Sequence, residues 1–516
     1  MSKLVDIASY IPSVTQPVQK LTFMEKSKWT LIIIILFFVL GSISIWGINP
    51  NSVASFEFLE IVFGSKFGSI ITLGIGPIVT ASIILQLLVG SKIINWDMNN
   101  EDDKKKFSSA QKLLTIAFCF IEGAAYVLAN AVPPAIAGDP FLMVAIILQL
   151  TAGGIIIMFM DEVVSKWGFG SGVSLFIVAG VAKTILVRTL SPFTQLGLFP
   201  REGEFPTGVI PLVIASLLGG NAKLTDIFIS LFPLIGTLLV FLIVVFIQDI
   251  RVEIPMAFSL PFGKFGARRW PLKFLYTSNI PVILVAAVLA NIQVLGKILF
   301  ARGITILGTY TDKGSPNPGG LMYYISAPSN EIGVMIITIM GSIFALLFVL
   351  LAIKILKKNA FKMCILGAIL GIALGSFIVY LQILPGVITL DSLLHVAVFI
   401  GIYVLGSVVF SIFWTATSGM DAKSVAEQFK SYFIMIPGFR HDPRIVERVL
   451  DRYIPALTIM GGAFIGFLAA YADLTAAIGT GTGLLLAVTI TYQLYEQISA
   501  QHDEDMPPAI KKFLGE

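Results

Sequence analysis

Long apolar runs without charged residues alternate with shorter polar segments along the whole chain. A run of about twenty such residues crosses the hydrocarbon core of a bilayer as one helix. The runs are continuous and do not alternate residue by residue, which excludes an outer-membrane β-barrel. The pattern predicts twelve membrane-spanning helices, at about residues 29–47, 72–90, 113–131, 141–160, 171–190, 227–248, 279–296, 332–353, 363–384, 392–414, 454–472 and 478–495.

The stretch Ile71–Gly90 is the one around which we expect the chain to be organised. Gly74 and Gly76 free the entering backbone, and Pro77 suits the first turn of a helix. The segment 53–64 just before it is semi-apolar, carries two glutamates and is too short to span a membrane. It is either a re-entrant plug leading into a pore wall or a disordered external loop before an ordinary helix. The pattern alone favours the loop.

Three further segments lie outside the predicted spans. Residues 1–28 place apolar side chains at helical spacing among lysines, which predicts a helix on the cytoplasmic membrane surface. The segment 191–226 is predicted to be an external loop, with a short apolar helix at 209–220. Residues 496–516 are predicted to form a cytoplasmic tail. No separate soluble domain is evident in the pattern.

Composition supports a membrane protein, and the distribution of charge gives its orientation. Of the 516 residues, 56% are hydrophobic and 13% are charged, about half the charged fraction of a soluble domain. Most of the 35 lysines and arginines fall on alternate segments between spans, beginning with the N-terminal one. Because these residues favour the cytoplasmic side, we predict a multi-pass protein of the cell membrane with both termini in the cytoplasm.

The sequence carries no catalytic or metal-binding motif that we recognise. Its two cysteines lie in apolar runs and its three histidines are scattered, so neither a disulfide framework nor a metal site is indicated. The phosphate-binding pattern G-x-x-x-x-G-K-[ST] is absent, as are H-E-x-x-H and G-x-S-x-G. We therefore expect no cofactor and no enzymatic activity.

Ten short motifs lie in order from one end of the chain to the other. They are ITLGIGPIVTASIILQLLVG (Ile71–Gly90), QKLL (Gln111–Leu114), DEVVSKWGFGSG (Asp161–Gly172), RVEIP (Arg251–Pro255), SNIPVIL (Ser278–Leu284), LANIQ (Leu289–Gln293), GFR (Gly438–Arg440), RYIP (Arg452–Pro455), GTGLLL (Gly481–Leu486) and YEQ (Tyr495–Gln497). Together they resemble the SecY family of protein-conducting channels in its archaeal-type form, which is homologous to the alpha subunit of the eukaryotic endoplasmic reticulum translocon.

The resemblance implies an all-α, polytopic helical bundle with two pseudo-symmetric halves around a central pore. Here the halves would be residues 29–190, including the plug at 53–64, and residues 227–495. The family pattern has ten spans, and this chain has twelve predicted ones. The additional material is a two-span hairpin within 330–387. Two inserted spans preserve the orientation of everything that follows, so the departure is consistent with the predicted topology.

The first candidate site is a polar cluster at a seam between helices. Glu122 is the only acidic residue deep inside a predicted span, so its side chain is expected to face protein or water and not lipid. The resemblance places it beside Thr80 and Asn291, where it implies a lateral gate toward lipid. The alternative is a single structural hydrogen bond.

The second candidate site is a pore ring of aliphatic side chains. A ring of this kind excludes water and ions by dewetting. The resemblance implies that the ring consists of Ile75, Val79, Val173, Ile177, Ile283 and Leu486. Without the resemblance, ordinary packing or contact with lipid would explain all six residues.

The third candidate site is basic. Lys264, Arg268, Arg269 and Lys273 share a loop punctuated by glycine and proline, and Arg440 lies in another loop. Exposed arginines suit phosphate contacts such as those on ribosomal RNA. The resemblance therefore implies ribosome-binding loops, with Arg268, Arg269 and Arg440 as the main contacts. The alternative is the cytoplasmic charge bias alone.

The resemblance implies the central subunit of a protein translocation channel. Such a channel passes unfolded polypeptides across the membrane and releases transmembrane segments laterally into lipid. The implied partners are two small single-span subunits (one SecE-like and one beta or SecG-like), the ribosome, signal-bearing nascent polypeptides and membrane lipids. An ion-coupled secondary transporter is the competing class. It typically needs several ionisable residues inside the membrane, and only Glu122 is placed so deeply.

Overall fold

A computed structural model gives the fold of the protein. It describes residues 12–48, 66, 68–96, 100–128, 131–136, 138–194, 199–200, 206–218, 224–259, 265–277, 279–311, 316–328, 332–351, 360–380, 389–431, 434–435 and 443–505. The predicted plug at 53–64 lies outside these residues, as do Lys264, Arg440 and most of the tail at 496–516.

Every predicted span coincides with a helix. The membrane helices are α1 (Phe23–Leu40), α2 (Gly76–Gly90), α3 (Glu101–Leu128), α4 (Pro140–Trp167), α5 (Gly172–Leu190), α7 (Leu224–Gln248), α8 (Ile280–Ala301), α10 (Ile332–Leu351), α11 (Ala360–Tyr380), α12 (Leu390–Thr417), α14 (Pro443–Leu474) and α15 (Gly481–Asp505). Nine of these have the length and hydropathy of a full span within the described residues; α1, α2 and α15 occupy the other three predicted spans.

The remaining elements are short. They are the helices α6 (Val209–Leu218), α9 (Leu321–Ile325) and α13 (Ala422–Ser431), and the strands β1 (Arg251–Ser259), β2 (Phe265–Lys273) and β3 (Ile434–Met435). The helix α6 confirms the short helix predicted at 209–220. The bundle is thus largely helical, and its strands are confined to one small sheet.

The entry into α2 is irregular, as its glycines predict. Residues 68–75 form consecutive turns, and Gly74 adopts a left-handed backbone with φ of 55°. That conformation is unfavourable for residues with a Cβ atom. The helix then begins at Gly76, with a proline in its first turn. With 15 residues, α2 is a short helix whose N-terminus lies in the core of the molecule.

The predicted surface helix over residues 1–28 is wrong for residues 12–22. Residues 12–22 contain no helix, because Pro12 and Pro17 each lack a backbone N–H and restrict the residue before them. The segment instead lies against the end of α4, where the Trp167 indole N–H donates to the Thr15 carbonyl at 2.9 Å. Helix α1 begins immediately afterwards, with Thr22 and Glu25 forming a capping box.

A small unit on the predicted cytoplasmic side was not foreseen in the sequence. Strand β1 lies between β2 and β3, and both pairings are antiparallel. The side chains of Ile254 and Leu272 pack with α13 and the first half of α14 in an apolar cluster of their own. Trp270 meets Phe429 edge to face, with ring centroids 4.7 Å apart. The loop expected around Arg268 and Arg269 is therefore a β-strand.

The core of the bundle joins the beginning and the end of the chain. One continuous apolar cluster contains side chains of α1, of α15 and of most membrane helices between them, but none of α10 or α11. On its edge, the Lys26 ammonium of α1 donates to the Gln501 side chain of α15 at 2.8 Å. The Gln501 amide in turn donates to the Leu21 carbonyl at 3.1 Å. The first and last membrane helices are therefore direct neighbours.

Candidate pore constriction and lateral seam

The six residues of the predicted ring lie on four helices of the central cluster. Five are buried in it and Val173 packs against it, partly buried. Helix α2 contacts α8, α8 contacts α15, and α15 contacts α5. The ring residues are Ile75 and Val79 at the start of α2, Val173 and Ile177 on α5, Ile283 on α8 and Leu486 on α15.

Local capping fixes where the ring helices begin. The Asp161 carboxylate accepts the backbone N–H of Val173 at 2.9 Å, at the first turn of α5. In the same way, the Asp473 carboxylate accepts the N–H of Thr482 at 2.8 Å and also its hydroxyl, at the first turn of α15. A buried acceptor at a helix start satisfies N–H groups that have no partner within the helix. Each cap therefore fixes the start of a helix that carries ring residues.

The ring offers a passing molecule no hydrogen bond and no charge, because all six side chains are aliphatic. Ile177 and Leu486 are fully inaccessible, and Ile75 is only 1% exposed. Five of the six side chains are thus enclosed in the apolar cluster, with Val173 at its edge. The site can therefore act as a barrier to water and ions.

The structure brings the three predicted seam residues together. The Asn291 amide of α8 donates to the Thr80 hydroxyl of α2 at 3.1 Å. That hydroxyl is 2.9 Å from one carboxylate oxygen of Glu122 on α3, to which it donates, and 3.0 Å from the Gly76 carbonyl. A chain of polar contacts thus crosses from α8 through α2 to α3.

Glu122 is only partly satisfied within this chain. The residue is 9% exposed, and its second carboxylate oxygen, Oε2, is buried without a hydrogen-bond partner in the described part of the protein. A buried polar atom without a partner carries a desolvation cost that a neighbouring group or a water molecule removes. The seam is therefore held by few bonds and leaves one strong acceptor open.

One buried acidic residue, Asp473, was not predicted from the sequence. Asp473 is 4% exposed, although it lies at the edge of the predicted span 454–472. Its position at the end of α14, nine residues before its partner Thr482, gave no signal because the turn that joins them was not predicted. Its carboxylate is engaged in capping α15, so it acts through the position of that helix.

The basic site is described only in part. The backbones of Arg268 and Arg269 lie in β2, opposite Met256 and Pro255 of β1, and only the backbones of these arginines are described. Arg440 is outside the described residues. The predicted ribosome contacts therefore remain predictions. Two of them, Arg268 and Arg269, lie on a β-hairpin and not on an irregular loop.

The base of this hairpin is attached to α15. The Lys273 ammonium, at the end of β2, forms an ion pair with Glu496 and lies 5.6 Å from the centre of the Tyr492 ring. The Tyr492 hydroxyl donates to Asp249, just after α7, at 2.8 Å. The β1–β2 hairpin is thus connected to the same helix that carries Leu486.

Comparison with known proteins identifies the family. A sequence profile of the SecY family matches residues 69–495. The chain is 38% identical over 515 residues to the protein translocase subunit SecY of Methanocaldococcus jannaschii, covering 100% of each chain. It is 39% identical over 518 residues to the subunit of Methanothermobacter thermautotrophicus, covering 100% of this chain and 99% of the relative.

Solved structures agree with this. A protein-conducting channel of 37% identity superposes with a TM-score of 0.75, covering 99% of each chain. Sec61 in a canine ribosome–channel complex from the endoplasmic reticulum gives 0.73, with the same identity and coverage. The profile match, the full-length identities and the shared fold show that this multi-pass membrane protein belongs to the SecY family.

Proposed function

We propose that the chain is the central subunit of a protein translocation channel, which passes unfolded polypeptides across the membrane and releases transmembrane segments sideways into lipid. The observation that carries the proposal is that α2 and α8 contribute both to an aliphatic constriction and to a hydrogen-bonded seam. One pair of helices then serves a path across the membrane and a path into it. The full-length similarity to protein translocase subunits supports this function.

The constriction would close the transmembrane path without binding its substrate. Aliphatic side chains at a narrow waist exclude water and ions, because the transfer of an ion into a dry apolar segment is costly. A polypeptide of any sequence displaces these side chains without having to break hydrogen bonds. Under this proposal the ring is a flexible seal around a moving chain.

The seam would close the lateral path by directional bonds. Hydrogen bonds between membrane helices each contribute about 1 kcal/mol, so the two contacts of Thr80 hold the helices together only weakly. An apolar segment that enters between α2 and α8 gains more from contact with lipid and helices than these bonds provide. Separation of the seam would thus select hydrophobic segments.

The partners follow from the cytoplasmic surface and from the relatives. Arg268, Arg269 and Arg440 are proposed to contact phosphates of a docked ribosome, which supplies signal-bearing nascent chains. The match to Sec61 in a ribosome–channel complex supports this partner. Two small single-span subunits, one SecE-like and one beta or SecG-like, would complete the channel. Both termini would be cytoplasmic, and the chain itself would have no enzymatic activity.

Cross-linking of a stalled nascent chain tests this function. A photoreactive amino acid is placed at Ile283 in the constriction or, as a control, at Ile336, which is equally enclosed but lies in a separate apolar cluster. Ribosomes stalled on a secretory precursor should give cross-links at 283 and none at 336. With the photoreactive amino acid at position 80 instead, a stalled transmembrane segment should also give cross-links. Absence of cross-links at 283, as an ion-coupled transporter predicts, would refute the proposal.

A further inference from the structure

The helices α10 and α11 form a closely packed hairpin whose contribution to the channel has to be explained. Gly367, Gly371 and Gly375 lie on one face of α11, against α10. A Cβ atom at Gly371 would be 2.5 Å from the Met340 carbonyl oxygen and 2.7 Å from the Gly341 Cα atom. The two backbones are therefore in direct contact, as is common where small residues line a membrane-helix interface.

One side of this hairpin is attached to the rest of the bundle. Side chains of α10 and α7, with Val379 of α11, form a separate apolar cluster around Ile336 and Ile339, and Ala476 packs against it. The outer face of α11 is exposed; Ile369 and Phe377 are 58% and 59% accessible. Helix α10 is thus the docking helix and α11 its outer support.

Polar groups join α10 to the end of α14. The hydroxyls of Ser342 and Tyr471 form a hydrogen bond, and the Ser342 hydroxyl also lies 2.6 Å from the Thr338 carbonyl. Thr338 is itself 3.3 Å from the Leu474 carbonyl, at the last residue of α14. The hairpin therefore reaches the start of the turn between α14 and α15.

That turn is strained. Ala476 and Thr480 have φ values of 48° and 60°, in the left-handed region that residues with a Cβ atom rarely adopt. This conformation is unfavourable for such residues and persists only where the surroundings enforce it. On the other side of the turn, α7 supplies the Thr237 hydroxyl, which accepts the Ile478 N–H at 2.8 Å. The turn is enclosed between α7 and α10.

The turn leads directly into a helix of the constriction. Asp473 precedes it and caps α15 through Thr482, and Leu486 follows one turn later. We propose that the α10–α11 hairpin is an intramolecular buttress: it holds the α14–α15 turn in its strained form and thereby keeps α15 and Leu486 in the closed constriction. The second part of this inference rests on the proposed pore ring.

Amide hydrogen exchange on the full-length protein tests the buttress. Tyr471→Phe and Ser342→Ala each remove the hydrogen bond between the two hydroxyls, and Ser342→Ala also removes the contact to the Thr338 carbonyl. The double variant should therefore be no worse than Ser342→Ala. In all three, the amides of residues 475–480 should exchange about fivefold faster, as expected for the loss of one hydrogen bond. Ser376→Ala removes a hydroxyl that bonds only within exposed α11 and is the matched control. Unchanged exchange in the single variants would overturn the proposal.

Ion conductance in planar bilayers tests the consequence for the pore. The two hydroxyl variants should show more frequent openings in the closed channel, and Ser376→Ala should not. Ile283→Asn serves as the reference for the ring itself. If Ile283→Asn conducts and the hydroxyl variants exchange rapidly without leaking, the turn does not control the constriction. If Ile283→Asn is silent, the ring is misplaced, and the buttress is judged by the exchange of the turn alone.

Discussion

The constriction and the lateral seam share two helices but are closed by different interactions. Val79 and Thr80 are consecutive residues of α2; the first is buried in the aliphatic cluster and the second holds the polar contacts to Glu122 and Asn291. Consecutive residues of a helix point about 100° apart. A single step in sequence therefore separates the wall of the proposed pore from the proposed exit into lipid.

The difference shows how one bundle can provide two barriers. Contacts between aliphatic side chains have no preferred direction, so the constriction reseals in many arrangements. The proposed seam depends on a few directional bonds and would open when they are replaced. Replacing one side chain by a smaller or apolar one should therefore change the closure of the constriction gradually and the closure of the seam sharply. Introducing a polar side chain should have its largest effect at the constriction.

The largest effect is expected from a polar constriction. Replacing Ile75, Val79 and Ile283 together by Asn should wet the waist, because amide groups stabilise water there. Single-channel recording should show closed-state conductance roughly tenfold or more above that of the unmodified protein. Deleting 53–64, the proposed plug, should increase it further.

Leu295→Asn is the matched control for this change. It lies on α8 with Ile283 but is 50% exposed at the outside of the bundle. Its conductance should equal that of the unmodified protein. Equal silence of the triple variant, with and without the plug deletion, would show that the constriction lies elsewhere.

A smaller effect is expected at the seam. Asn291→Leu removes the bond to Thr80, worth about 1 kcal/mol, and should shift the balance toward separated helices about fivefold. Less hydrophobic signals should then enter, which can be measured as the threshold in a series of signal sequences. Closed-channel conductance should stay unchanged, which separates the two barriers.

Two further variants sharpen the result at the seam. Glu122→Gln keeps an oxygen that accepts from Thr80 and should leave the threshold close to its original value, whereas Glu122→Leu should lower it. Gln293→Leu makes the same kind of change as Asn291→Leu at a nearby position of α8. An equal shift from Gln293→Leu would attribute the effect to helix hydrophobicity and not to the seam.

The smallest effect is expected where the β1–β2 hairpin meets α15. Lys273 and Glu496 are about one-third exposed, so their ion pair contributes about 1 kcal/mol or less. Lys273→Glu should reduce ribosome-dependent opening of the constriction up to about fivefold. The exchange Lys273→Glu with Glu496→Lys should restore it. Signal thresholds should remain unchanged throughout, since the pair connects to the constriction. A shift in threshold would contradict this separation.

The helices, and Glu122 as a member of a polar site, were predictable because their signals are local or strong. Each uncharged run of span length became a helix, since the membrane leaves few alternatives. Glu122 stood out as an acidic group within an apolar run, and such a group needs a polar partner. Its pairing with Thr80 and Asn291, which are far apart in sequence, came from the family resemblance and could not be read from the pattern.

The small sheet and the helices packed on it were not predictable for the opposite reason. Strand β1 contains Pro255 and pairs with β3, more than 170 residues later. Neither its composition nor the adjacent sequence therefore predicts a sheet. The turn holding Ala476 at positive φ was hidden in the same way, because its contacts are to α7 and α10, which are distant in sequence. Structure that depends on distant contacts leaves little trace in a local pattern.

The contact between α1 and α15 has a consequence for the biogenesis of the channel. Lys26 and Leu21 find their partner, Gln501, only after nearly the whole chain has been synthesised. Helix α1 therefore remains in the membrane with one side uncovered until α15 is inserted. A chain truncated before α15 would therefore leave that side of α1 uncovered.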